Sequence, residues 1–140
     1  MRALLFALGL SVLACGGESS RLVTVRSGTG TGSVDFAVKN ATEVGINSVF
    51  MAKTELVEKN DPGRIERSSP KGQEVWGGDL ISAAIPVGER VPIPVKEPGR
   101  WDLLAVDRDG REQHIAGLKL EAGGRYILEL YETSWRYYGP

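Results

Sequence analysis

"WDLLAVDRDGREQHIAGLKLEAGGRYILEL", residues 101–130 of a 140-residue chain, is the stretch that decides the fold. Trp101 to Val106 is apolar on both faces, as expected of a central strand. Asp107-Arg108-Asp109-Gly110 breaks the run, and Asp-Gly favours the positive φ angles of a tight hairpin. Gln113 to Leu120 returns, and Ala122-Gly123-Gly124 turns again. Tyr126, Leu128 and Leu130 then alternate with Ile127 and Glu129 in a last strong strand. Strands spaced by short Gly-containing turns, with no helical stretch between them, are the grammar of an antiparallel sheet.

The same grammar continues towards the N-terminus. Val91, Ile93 and Val95 share one face, and the prolines at 92 and 94 remove amide donors from one side. That side cannot complete a ladder, so the segment reads as an edge strand guarded against edge-to-edge pairing. Ile46 to Lys53 carries Val49, Phe50 and Met51, is apolar on both faces, and reads as a second central strand. Val34, Phe36 and Val38 alternate with Asp35, Ala37 and Lys39 in a half-buried strand. It ends at Asn40-Ala41-Thr42, which has the form of a glycosylation sequon. Leu22-Val23-Thr24-Val25 is β-rich. No segment after residue 15 shows a sustained 3.6 period with caps. The expected fold is all-β: an antiparallel β-sandwich of seven to eight short strands, immunoglobulin-like or transthyretin-like. Glu55 to Gly78 is the irregular part, rich in charge and broken at Pro62-Gly63, Ser68-Ser69-Pro70 and Lys71-Gly72. It reads as a long surface loop with a candidate binding role, stapled to the core by Val75-Trp76.

The first residues are of another kind. Met1-Arg2 is a short positive segment, and Ala3 to Ala14 is apolar but for Gly9 and Ser11. This is the pattern of a cleaved export signal helix. It is too short for a membrane-spanning helix, which needs roughly 20 apolar residues. Cys15, the one cysteine, follows directly and has no thiol to pair with inside the chain. Val12-Leu13-Ala14-Cys15, closing an apolar run and followed by Gly16-Gly17-Glu18-Ser19-Ser20, resembles the lipobox of bacterial lipoprotein precursors. The resemblance implies a diacylglyceryl group on the Cys15 sulfur, cleavage before Cys15 and acylation of the new amine. Two or more acyl chains hold a protein stably at a bilayer. Gly16 in place of Asp implies delivery to the outer membrane, on its periplasmic or surface face. The expected organisation is a signal peptide over 1–14, an acylated cysteine with a flexible tether over 15–21, a β domain over 22–131 and an aromatic tail over 132–140. Residues 16–20 extend at most about 17 Å, which keeps the domain near the lipid.

A second resemblance runs through Phe36–Thr42, Ile46 with Val49-Phe50, Trp76–Ile81, Pro86–Glu89 and Trp101-Asp102-Leu103 to Gly110. These pieces are similar to small envelope β-sandwich modules of bacteria. The outline of lipid anchor, short tether and small sandwich resembles the transthyretin-like outer-membrane lipoprotein of type VI secretion systems. Neither resemblance brings an active site with it.

Catalytic and ligand-binding chemistry is sparse. Formal charge is −1, becoming −2 without Arg2, and acidic and basic residues are mixed along the chain. There is no basic footprint for nucleic acid. Gly28-Thr29-Gly30-Thr31-Gly32 lacks the spacing and the following helix of a dinucleotide cradle and reads as a turn. His114, the one histidine, has no cysteine or histidine partner for zinc and reads as a partly exposed strand residue. No Gly-x-Ser-x-Gly elbow supports a nucleophile. Asp107-x-Asp109-Gly110 begins like a calcium loop but lacks the further oxygen ligands. The expectation is a non-enzyme without cofactor or metal. Aromatic residues and Arg are enriched at binding hot spots, which makes Trp76, Trp135, Arg136, Tyr137 and Tyr138 the candidate partner-binding residues. The expected function is a membrane-anchored, protein-binding or structural component of the bacterial envelope. The alternatives are a subunit of a trans-envelope machine for secretion or surface motility, and a carbohydrate-binding domain.

Overall fold

The computed structural model describes residues 17–60 and 69–137. The signal segment, Cys15, residues 61–68 and Tyr138 lie outside the described residues. Seven strands are described: β1 (Arg21–Arg26), β2 (Asp35–Ala41), β3 (Ile46–Lys53), β4 (Arg90–Pro92), β5 (Gly99–Asp107), β6 (Glu112–Leu120) and β7 (Arg125–Tyr131). Two short helices, α1 (Thr54–Asn60) and α2 (Pro70–Trp76), follow β3, and a 3₁₀ turn at Glu132–Ser134 follows β7. One sheet has the order β1-β7-β2-β4 and the other β3-β5-β6.

The two sheets share one apolar core. Phe36, Val38, Tyr126, Leu128 and Leu130 come from the first, and Ile46, Val49, Leu103, Ala105, Leu118 and Leu120 from the second. Each such side chain contributes roughly 1.5–3 kcal/mol on full burial, so this period-2 pattern is the main force holding the layers together. Within the segment at 101–130 the strands and turns fall where the sequence puts them, but β6 and β7 belong to different sheets. β5 is the centre of its sheet, and β6 returns antiparallel through a turn closed by the Gly110 amide donating to the Asp107 carbonyl at 3.1 Å, with Gly110 at φ 87°. β4 is an edge strand, with Ile93 buried and Pro92 and Pro94 facing out.

Three features depart from the sequence reading. First, β2 and β7 pair in parallel, from Asp35↔Arg125 to Ala41↔Tyr131, so the first sheet is mixed rather than antiparallel. β7 lies between β1 and β2, and the Gly-rich stretch after β1 arches over the β6–β7 turn to allow this. Thr29 and Gly30 donate to the Ala122 carbonyl, and Gly123 donates to the Ser33 carbonyl. Gly123 sits at φ 81°, and a Cβ there would lie 2.5 Å from the Thr31 carbonyl oxygen, so the crossing requires glycine. Second, β3 is an edge strand of its sheet rather than a central one. Its outward Phe50 and Ala52 are apolar because helices cover them, not because strands flank it. Third, the 55–78 stretch is not an irregular loop throughout, since it holds both helices. Each is seven residues long, too short for a 3.6 period to stand out or for stability in isolation. Ser69 caps α2 by accepting the Gly72 amide at 2.9 Å, and Pro70 opens the helix.

Candidate functional site

The helices and the outer face of β3-β5-β6 build the part of the molecule where the site residues meet. Val57 from α1 and Val75 and Trp76 from α2 bury themselves on Phe50, Ala52 and Leu104. Glu55 in the first turn of α1 and Lys59 in its last suit the helix dipole. Beneath this cap lies a polar cluster. Asp102, 2% exposed on the outward side of β5, accepts from Thr54 Oγ1 at 2.8 Å and from the Gly117 amide at 2.9 Å on one oxygen. Its other oxygen meets His114 Nε2 at 2.7 Å. The Gly117 amide reaches Asp102 because the β5–β6 register shifts there, with Gly117 at φ 70°. Burial pushes the Asp102 carboxyl up, but the hydrogen bonds from His114, Gly117 and Thr54 outweigh it and hold the group below the usual carboxylate range. Trp76 stands edge-on to the His114 ring at 5.3 Å.

The chemistry of this cluster is that of a clamp. Thr54 spends its hydroxyl hydrogen on the same carboxylate that holds His114, so it offers the ring no nucleophile to activate. The three bonds tie the start of α1, the middle of β5 and the β6 bulge to one buried charge. The sequence alone marks His114 only as a partly exposed strand residue and gives no role to Asp102 or Thr54. An acidic residue inside an apolar strand, Trp-Asp-Leu-Leu, was the signal that something must satisfy a buried charge.

Beside the cap is a groove of about 310 Å³. Met51, Leu56, Val75, Leu80, Val95 and Trp101 form its apolar wall, and Lys53 and Lys96 stand at it. Lys53 lies over the Trp101 ring at 5.2 Å and pairs with Glu97 at 3.1 Å. The Trp101 indole N–H donates to the Glu97 carbonyl at 3.0 Å, which fixes the ring as one wall.

A second cluster gathers the two ends of the described chain. Ser20 Oγ donates to Gln113 Oε1 at 2.5 Å and accepts the Tyr131 amide at 2.9 Å. The Ser20 amide donates to Ser134 Oγ, and Thr133 Oγ1 donates to the Glu18 carbonyl. Residues 18–20 are therefore bonded to the C-terminal segment rather than loose. That segment is docked in turn: Glu112 and Arg136 exchange backbone bonds of 2.7 and 2.8 Å along the edge of β6. Arg111 pairs with Asp107 at 2.7 Å and Glu132 at 3.0 Å, and covers the Trp135 ring at 5.6 Å.

The candidate binding residues separate accordingly. Trp76 and Trp135 are 2% and 6% exposed, so both are mainly packing residues: Trp76 belongs to the cap and contributes to the lining of the groove, and Trp135 sits in the main core. Arg136 is exposed, though Nη1 donates to the Thr133 and Trp135 carbonyls. Tyr137 is exposed at 66%, and Tyr138 is outside the described residues. Trp76 and Arg136–Tyr137 lie in separate clusters. No group of three or more His, Cys, Asp or Glu side chains among the described residues could hold a metal ion. No helix among them is long and apolar enough to cross a membrane. No protein-family model matches the chain, and no curated protein or solved structure matches it.

Proposed function

We propose that this chain is a lipid-anchored bacterial envelope protein, acylated at Cys15, whose β-sandwich binds a protein partner at the pole that faces away from the lipid. The Val12–Cys15 motif supports the anchor, and the observation that carries the orientation is that the terminal cluster and the groove lie at opposite ends of one sheet. Residues 18–20 are bonded to Tyr131–Ser134, beside the Asp107 end of β5. Cys15 is two residues before the first described residue, a reach of at most about 7 Å. The groove lies at the other end of the same sheet, where Lys53 pairs with Trp101 rather than Ile46 with Asp107. Seven strand steps separate those ends, about 23 Å at roughly 3.3 Å per residue. An anchor at Cys15 therefore sets the groove at the lipid-distal pole. Delivery to the outer membrane belongs to the same proposal, through Gly16. Carbohydrate stacking on Trp76 or Trp135 loses its support, since both rings are buried.

The test is metabolic labelling with an alkynyl fatty acid, with membrane fractionation. The parent should take up label and sediment with membranes. Cys15→Ser should lose the label and accumulate as unprocessed precursor. Normal labelling of that variant, or a soluble and correctly processed parent, refutes the anchor.

A further inference from the structure

We infer that the groove between the helical cap and the 94–96 segment captures the free carboxyl terminus of an apolar peptide segment of a partner protein. The inference rests on the partner-binding part of the reading above. Its first support is charge. The residues lining the groove include Lys53 and Lys96 and no acidic residue. Lys53 is already engaged by Glu97, whereas Lys96 makes no ion pair among the described residues. A carboxylate entering the groove therefore finds one committed and one uncommitted ammonium. The second support is the wall. Leu56 is 41% exposed on an otherwise polar face of α1 and lines the groove together with partly buried Leu80 and Val95. An apolar side chain of a ligand would remove all three from water. The volume, about 310 Å³, suits a few side chains and not a large body.

The third support separates a peptide from a fatty acid, which shares the same chemistry of apolar body and carboxylate. Gly78 lines the groove with its backbone exposed, and a Cβ built there meets nothing within 4 Å. Bare, accessible main chain offers hydrogen bonds that a peptide can use and an acyl chain cannot. A chain terminus also supplies carboxylate and apolar side chains within a few residues, which an internal acidic residue flanked by further chain does less compactly.

The experiment uses the full chain, purified in mild detergent, on an array of apolar pentapeptides made in two forms, with a free C-terminal carboxylate and with a C-terminal amide. Dodecanoate is run as a third arm. The expected result is a set of carboxylate peptides that bind at least about tenfold more tightly than their amides, the size of effect expected for a charge-assisted contact. Lys96→Glu should abolish that preference, Leu56→Asp should weaken binding at least fivefold, and Glu97→Gln should leave it unchanged or strengthen it. Lys96 and Leu56 are exposed or edge positions, so both variants should keep the parent's circular dichroism. Equal binding of both peptide forms, no binder in either form, insensitivity to Lys96→Glu, or capture of dodecanoate but no peptide each overturns the inference. In-cell crosslinking to an envelope protein that survives Lys96→Glu would leave the binding reading standing while removing this site from it.

Discussion

Replacing Asn40 should cost about as much as truncating a large apolar core residue, although nothing about an Asn-Ala-Thr triplet announces it. Asn40 is fully buried at the end of β2, and its amide makes four hydrogen bonds. It donates to the Val44 carbonyl at 2.8 Å and the Ile85 carbonyl at 2.9 Å, and accepts from the Thr42 amide at 2.9 Å and the Thr42 hydroxyl at 2.6 Å. In Asn40→Ala the Ile85 carbonyl keeps the Ile46 amide and the Val44 carbonyl keeps the Thr42 hydroxyl. One buried group, the Thr42 amide, is orphaned, at about 1–3 kcal/mol, and the remaining bonds are lost at about 0.5–1 kcal/mol each. The total is about 2.5–6 kcal/mol. Asn40→Asp should be worse at neutral pH, because a carboxylate oxygen then faces two carbonyl oxygens where a donor stood. It should recover part of the loss in acid, once the introduced carboxyl carries a proton. Urea unfolding followed by tryptophan fluorescence measures all three proteins, with exposed Lys119→Ala as a control expected to stay within about 0.5 kcal/mol. If Asn40→Ala behaves like that control, or Asn40→Asp is the milder of the two at pH 7, the hydrogen-bond reasoning is wrong.

Three further outcomes follow from the same geometry. The Trp135 indole N–H is buried without a hydrogen-bond partner among the described residues, so Trp135→Phe should cost under about 1.5 kcal/mol while Trp135→Ala costs about 3–5; near-equal losses in urea would refute a purely packing role. Against the upward push of burial, bonds from His114, Gly117 and Thr54 hold the Asp102 carboxyl low in the folded chain. Its stabilisation is therefore complete above its unfolded pKa of about 3.9 and is lost as pH falls through the lower folded value. Asp102→Asn should lower stability at pH 7 and flatten the decline in acid below about pH 4; stability curves that run parallel to the parent's through that range would refute the clamp. Ser69→Ala removes the cap of α2 and should cost about 1 kcal/mol, with faster amide exchange in 70–76 than in β5; uniform exchange across both would count against a separately opening cap.

Strand positions were legible where a period of two met a turn residue. Phe36 and Val38, Tyr126 to Leu130, the Asp-Gly hairpin and the proline-marked edge all sit where the pattern puts them. What was not legible depends on long-range partners. Parallel pairing of β2 with β7 leaves no local mark, since the same alternation serves either direction. Both-face apolarity meant a flanked strand for β5 and a helix-covered one for β3, and only tertiary structure separates the two. The helices were hidden by length, although Ser69-Pro70 and the acid-to-base order of Glu55 and Lys59 were start and end signals within reach. Trp76 and Trp135 carry no mark in the sequence that separates a packing role from a contact role, because aromatics serve cores and interfaces alike. The polar residues that organise the molecule, Asn40 and Asp102, were visible only as misfits in apolar strands.

The edges of the two sheets bear on how any partner is held. Strand addition needs an open row of backbone donors and acceptors. β4 carries Pro92 and is followed by Pro94. β3 is covered along its edge: Leu80 donates to the Val49 carbonyl, Asp79 accepts the Val49 amide, and Ile85 exchanges bonds with Ile46. β6 is paired to Arg136 at its start and bulged opposite Asp102. β1 shifts register between Thr24 and Arg26 and carries an arginine at each end, one of them held by Glu129 at 3.0 Å. All four edges are thus blunted by proline, coverage, bulge or charge. Edges blunted in these ways disfavour recruitment by sheet extension, so a partner of the kind proposed above would be held at the groove, through its side chains and the main chain at Gly78. The groove beside Trp101 combines the exposed apolar surface of Leu56 with Lys96, which makes no ion pair among the described residues, and on the proposed reading that pairing would give a small surface both affinity and direction.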